Sequence, residues 1–127
     1  MGRKALIIGI DGVPYELLLK TVEAGHMKGL KNILSSGYTM KTMYASLPDV
    51  SNVSWTSFMT GVNPAEHGIF GFTHLRPFSY ELTFPNSRDI KAPAFWQTLQ
   101  EEKKTQRTVV LNLPHTYPAL PIEGLLV

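Results

Sequence analysis

A chain of 127 residues with 43% apolar content has the size and composition of one small globular domain, or part of a larger one, and not those of a disordered segment. The formal net charge of +2 is scattered, and the one dense cluster, "EEKK" at 101–104, is mixed in sign, so no basic stripe marks a nucleic-acid binder. The absence of cysteine excludes a disulfide framework and a thiolate metal site, and no apolar run approaches the ~20 residues of a membrane span.

The chain opens on "MGRKALIIGIDG". Its apolar run of about six residues falls short of a signal-peptide core and reads as a cytoplasmic start that enters a strand at once. Residues 5–10 form a continuous aliphatic run closed by Asp11 and Gly12, the pattern of a strand covered on both faces in a parallel sheet. Pro14 sits where a first helical turn tolerates it, with Glu16 close behind, and predicts a helix through "YELLLKTVEAG" to Gly25. A second short helix is predicted over 27–35, stopped by Gly37, and "YTMKTMYAS" alternates as a strand. After "LPDVS" comes a helix from about Val53 to Thr60, closed by Gly61 and the turn "NPAEHG". Residues 72–92 lack a steady period and contain Pro77 and Pro85, which predicts a loop-rich excursion with room for a short hairpin. "APAFWQTLQEEKK" reads as a helix with Pro93 at its start, "RTVVLNL" as a buried strand, "PHTYPALPIEG" as an irregular loop, and the closing "IEGLLV" as the opening of one more strand.

This alternation predicts an α/β fold with helices on both faces of a mostly parallel sheet. The apolar ending adds the expectation that residues 1–127 are the N-terminal part of a single catalytic domain, with an incomplete sheet whose exposed edge invites pairing with another copy. In open α/β sheets the ligand crevice lies beyond the carboxyl ends of the strands, where Asp11 would stand, with the 72–92 excursion near that crevice. A carboxylate there is either a hard oxygen ligand for a divalent cation or a helix N-cap for the turn before Pro14.

Ser51 is predicted just ahead of the Val53 helix, where free backbone N–H groups and the positive end of the dipole favour an anion. A phosphate on those donors would face the Ser51 hydroxyl, which needs a base or a metal to react at neutral pH. The plainer reading is that Ser51 caps the helix, and for Ser54, Thr56, Ser57 and Thr60 packing or solvation is the preferred reading. Trp55 and Trp96, at helical positions beside other apolar residues, read as core.

The pair "IIGIDG" and, some forty residues on, "LPDVSNVSWTSFMTGVNPAEHGIFGF" resembles the alkaline phosphatase superfamily, on the branch of type I phosphodiesterases and nucleotide pyrophosphatases. Within that branch the chain is most similar to cytoplasmic prokaryotic proteins described as predicted phosphohydrolases or phosphomutases. The similarity continues through "SYELTFPNSRDIKAPAFWQTL" and "VVLNLPHTYPALPIEG" and so covers nearly the whole chain. The resemblance implies a three-layer α/β/α sandwich, two divalent metals (zinc, or in some members manganese, magnesium or iron), and a small phosphate-ester or nucleotide substrate. It matches Asp11 to the N-terminal metal ligand and Ser51 to the nucleophile that bridges to the same metal. Ser54 falls where pyrophosphatase members carry a phosphate-holding asparagine; its side chain is shorter, and the backbone N–H of Asn52 is a competing donor. The remaining ligands are expected after Val127, so this chain alone is expected to be inactive.

The four histidines, His26, His67, His74 and His115, have no ligand-pair spacing. His67 is expected to stitch its own loop by hydrogen bonds. His74 and His115, with Arg76, Asn86 and Arg88, sit in loops able to overhang the crevice or to stay solvated. Three other readings remain at this point: a phosphoglycerate-mutase-like phosphotransferase, a non-catalytic phosphate- or nucleotide-binding domain, and a structural domain.

Overall fold

The computed structural model of the protein describes residues 4–104 and 107–127. They divide into two units, one ending at Tyr44 and the other spanning Ala45–Val127.

In the first unit, the proline signal works as expected. Pro14, at φ −65°, stands at the N-cap of α1 (Tyr15–Glu23), and its carbonyl accepts the Leu18 N–H at 3.1 Å. Glu16 lies in the first turn and Lys20 in the last, each matched to its end of the helix dipole. Gly25, at φ +80°, takes the left-handed conformation that releases the chain toward α2 (Lys28–Ser35). Val22 is buried.

The flanking aliphatic segments depart from expectation. Residues 5–10 form no strand, and Leu6, Ile7, Ile8 and Ile10 are exposed, from 58% at Ile7 to 85% at Leu6. Residues 38–46 form no strand either. An aliphatic run states a preference for extended backbone, but a strand exists only through a neighbour that accepts its N–H groups. Among the described residues, these two segments have no ladder.

The second unit starts with α3 (Ser51–Thr60), two residues earlier than predicted, and ends it at Gly61, whose φ of +72° lets its N–H reach the Ser57 carbonyl at 2.8 Å. The predicted "NPAEHG" turn is the one-turn helix α4 (Pro64–His67). The Asn63 side chain caps it by accepting the Ala65 N–H at 2.9 Å, with Pro64 in the first position. The 72–92 segment holds a hairpin of β1 (His74–Leu75) and β2 (Leu82–Thr83), antiparallel, tied by an exposed Arg76–Glu81 ion pair. A 3₁₀ turn at Ser87–Asp89 follows. There Asn86 accepts the Arg88 N–H and Asp89 accepts the Asn86 N–H.

Helix α5 (Phe95–Glu101) is shorter than predicted at both ends. Strands β3 (Thr108–Val110) and β4 (Gly124–Leu126) then pair in parallel, Val109 opposite Leu125, so both predicted C-terminal strands are present and pair with each other. The described strands make two two-stranded sheets, one antiparallel and one parallel. The protein is therefore α/β with short sheets. Its core gathers Met59 from α3, Ala94 and Trp96 at α5, and Val110 from β3, with Ile90, Phe95, Leu113, Ile122 and Leu126 against them. Edge-to-face contacts link Trp55 to Phe58, Phe58 to Phe95, and Phe95 to Trp96, at 5.7, 6.2 and 5.1 Å. Trp96 is core, as its helical position suggested. Among the described residues no helix is long and apolar enough to cross a membrane.

Candidate active site

Helix α3 has a bare beginning. Its N-cap is Val50, in extended conformation, whose side chain has no oxygen to accept from the first-turn N–H groups. The first of the helix's bonds runs from the Ser54 N–H to the Val50 carbonyl at 2.9 Å. Ser51 occupies the first helical position and is exposed, so it is not the residue ahead of the helix and does not cap it. The first turn thus presents a hydroxyl together with backbone donors that no side chain at the cap position satisfies. Asn52 and Ser54 share that turn with Ser51. The Ser54 hydroxyl is bonded to Ser46 Oγ at 2.9 Å, and the Asn52 carbonyl accepts Thr56 Oγ1 at 2.7 Å.

Behind this turn, two hydroxyls of α3 meet two imidazoles. Ser57 Oγ lies 2.9 Å from His67 Nε2, and the other ring nitrogen, Nδ1, accepts the Ile69 N–H at 3.1 Å. Because Nδ1 is an acceptor, the proton of the neutral ring sits on Nε2 and is donated to Ser57. Thr56 Oγ1 lies 3.1 Å from His115 Nδ1. Its single hydrogen goes to the Asn52 carbonyl, so it accepts from His115, whose proton is on Nδ1. His67 and Thr56 are fully buried. Burial lowers the pKa of His67, and the neighbouring His115 lowers it further. Burial also lowers that of His115, opposed by Asp89 and assisted by His74.

The sequence places His67 correctly as a loop stitch. It places His115 in a loop, over the crevice or solvated, and gives no sign of its bond to Thr56, a residue 59 positions away. Arg76 is engaged by Glu81 and Asn86 caps the 3₁₀ turn, while Ser87 Oγ donates to the Pro118 carbonyl at 2.6 Å and clips that turn to the loop that carries His115.

Asp11 stands in the first unit, exposed, on the turn it forms with Gly12 at φ +66°. The cap of α1 is Pro14, which removes the helix-capping alternative for Asp11. A carboxylate and a hydroxyl are hard oxygen donors that suit magnesium or manganese and are compatible with zinc. Each, taken by itself, suits a divalent cation in kind. Among the described residues, no three side chains of His, Cys, Asp or Glu gather to complete a shell. His67 adds no ligand, since both of its ring nitrogens are already in use.

A model of the family "type I phosphodiesterase / nucleotide pyrophosphatase" matches residues 5–124, from the aliphatic run before Asp11 to the start of β4. The chain belongs to this family. No curated protein and no solved structure matches it. The type I phosphodiesterase family implies phosphoric ester hydrolysis on small phosphate-ester or nucleotide substrates, and its members typically depend on divalent metals.

Proposed function

We propose that the protein is a metal-dependent phosphoric ester hydrolase of the phosphodiesterase or nucleotide pyrophosphatase type, with Ser51 as nucleophile and Asp11 as metal ligand. The observation that carries the reading is the exposed hydroxyl of Ser51 at the uncapped start of α3, inside a chain matched to the family over 5–124. In the native protein, Asp11 and Ser51 Oγ would hold one of two divalent ions, zinc first among the choices, which lowers the pKa of the hydroxyl and neutralises charge on the phosphate.

The chain's own residues then act in order. The N–H of Asn52 binds a non-bridging oxygen of the ester and sets phosphorus against Ser51 Oγ. The hydroxyl gives its proton to solvent and forms the O–P bond as the alcohol or nucleotide leaving group departs with the electrons of the broken P–O bond and takes up a proton from solvent where its oxygen is basic enough. Water then adds to the resulting phosphoserine, phosphate or its monoester is released, and Ser51 recovers its proton. Ser54, tied to Ser46, supports the turn and offers its hydroxyl as a secondary contact. This reading carries with it a cytoplasmic location and a complete fold of α/β/α sandwich type.

In the native protein, Ser51→Ala should lower turnover of bis(p-nitrophenyl) phosphate by roughly 10³-fold or more, with unchanged circular dichroism. Retained turnover refutes the assignment. Asp11→Asn should weaken zinc or manganese uptake in calorimetry; uptake equal to that of the unsubstituted protein removes Asp11 as a ligand.

A further inference from the structure

Helix α3 has to present Ser51 in a fixed direction, yet its apolar residues do not define a single stripe. At about 100° per residue, Val53, Trp55, Phe58 and Met59 spread over much of the circumference. Val53, Met59 and the ring contacts of Trp55 and Phe58 hold the helix by packing on several sides, but packing alone does not single out the direction of one exposed hydroxyl. Hydrogen bonds are directional and resist a roll of the helix about its axis. Thr56 and Ser57 lie about 100° apart on the helix, one on each side of the fully buried Val53, and Ser51 lies on the opposite face, about 160° from Val53. The two hydroxyls on the rear face are those held by His115 and His67.

We propose that His67 and His115, in opposite neutral tautomers, form a clamp on the rear of α3 that fixes its roll and so positions Ser51. The inference rests on the reading of Ser51 as nucleophile only for its purpose; the clamp itself is a property of α3. Each imidazole is anchored on its own side: His67 by the Ile69 N–H, and His115 by a loop that Ser87 ties back through Pro118. The lever is long enough to matter. An oxygen roughly 4 Å from the helix axis moves about 1.4 Å for a 20° roll, a displacement of the size that costs about a hundredfold in a reaction sensitive to alignment.

The ring nitrogens make the two anchors of His67 separable. In His67→Gln the side-chain amide reaches the Nε2 position and still donates to Ser57, but gives up the Ile69 bond. In His67→Asn the carbonyl replaces Nδ1 and still accepts from Ile69, but Ser57 is lost. Ser57→Ala removes the same bond from the other side without touching the loop.

Long-range ¹H–¹⁵N spectra of the imidazoles in this chain should show His67 protonated on Nε2 and His115 on Nδ1. Amide exchange at Ser54, whose bond to Val50 closes the first turn of α3, should rise about tenfold in His67→Asn and in Ser57→Ala and stay within about threefold in His67→Gln. The Ser51 Cβ resonance should move in the first two variants and not in the third. Equal exchange in Asn and Gln variants, an unchanged Ser54 rate in Ser57→Ala, or the reversed tautomer at His67 overturns the clamp. Ser51→Ala should leave both the tautomers and the Ser54 exchange rate as they are, so a wrong nucleophile and a wrong clamp give different results.

Discussion

At Thr56 a buried hydroxyl serves two partners at once. It donates to the Asn52 carbonyl at 2.7 Å and accepts from His115 at 3.1 Å, with no exposure to solvent. Valine has nearly the same shape and offers neither function. The Asn52 carbonyl keeps its helical N–H partner in that variant, whereas the His115 N–H is left without an acceptor in a desolvated place. Thr56→Val should therefore destabilise the protein by about 1–3 kcal/mol, and Thr56→Ser, which keeps the oxygen, by clearly less. Urea midpoints at constant slope measure the difference, and equal losses in the two variants would show that the methyl group and not the hydroxyl matters at this position. The same residue marks a boundary of what sequence can show. Thr56 was readable as a packed helix residue, but its partner is a histidine 59 positions on, and no periodicity links the two.

Among the elements, the pairing of β3 with β4 depends on one backbone. A Cβ built on Gly124 would stand 1.7 Å from the Thr108 carbonyl oxygen, and the residue adopts φ +147°, a conformation that side chains rarely accept. Gly124→Ala should separate the two strands, at a cost of about 3 kcal/mol or more. It should also abolish exchange protection at Thr108 and Asn112, whose N–H groups donate to Glu123 and Val127. Retained protection at both would mean that the strands shift register to absorb the methyl group. Local rules served the elements unevenly. Pro14, Gly25, Gly61 and Pro64 punctuate α1, α3 and α4 as turn and cap chemistry requires, and the valines at 109 and 110 sit in a strand as their branching favours. The run at 5–10 carries an equally strong strand signal and forms none among the described residues, because periodicity identifies a backbone preference and says nothing about which neighbour completes the ladder. Asp11 and Ser51 were legible only as a spaced pair of motifs; that α3 begins at Ser51 instead of after it depends on the extended Val50 at the cap.

Across the whole molecule, the fully buried His67 and the half-buried His115 should shape the response to acid. His67 and His115 both have pKa values lowered from 6.5, chiefly by burial. A neutral ring is what the His67 pattern requires, since Nδ1 accepts from Ile69 and cannot do so once protonated; at His115 the Nδ1–H donates to Thr56 in either state, and burial alone disfavours the charge. With the folded pKa below the unfolded one, the unfolded chain takes up protons first as pH falls. The stabilisation is then complete above about pH 6.5 and is lost progressively below it, down through the folded values. Asp89 opposes the loss at His115 and His74 adds to it, whereas at His67 burial and His115 act in the same direction, so the limb belonging to His67 should be the cleaner of the two. Urea midpoints measured from about pH 8 to about pH 5 should hold level and then fall in the unsubstituted protein. His67→Gln, which keeps the donor to Ser57 and has no proton to gain, should start lower at neutral pH for want of the Ile69 bond and then fall less steeply. Parallel curves for the two proteins would place the acid sensitivity elsewhere, at His115 or at the carboxylates.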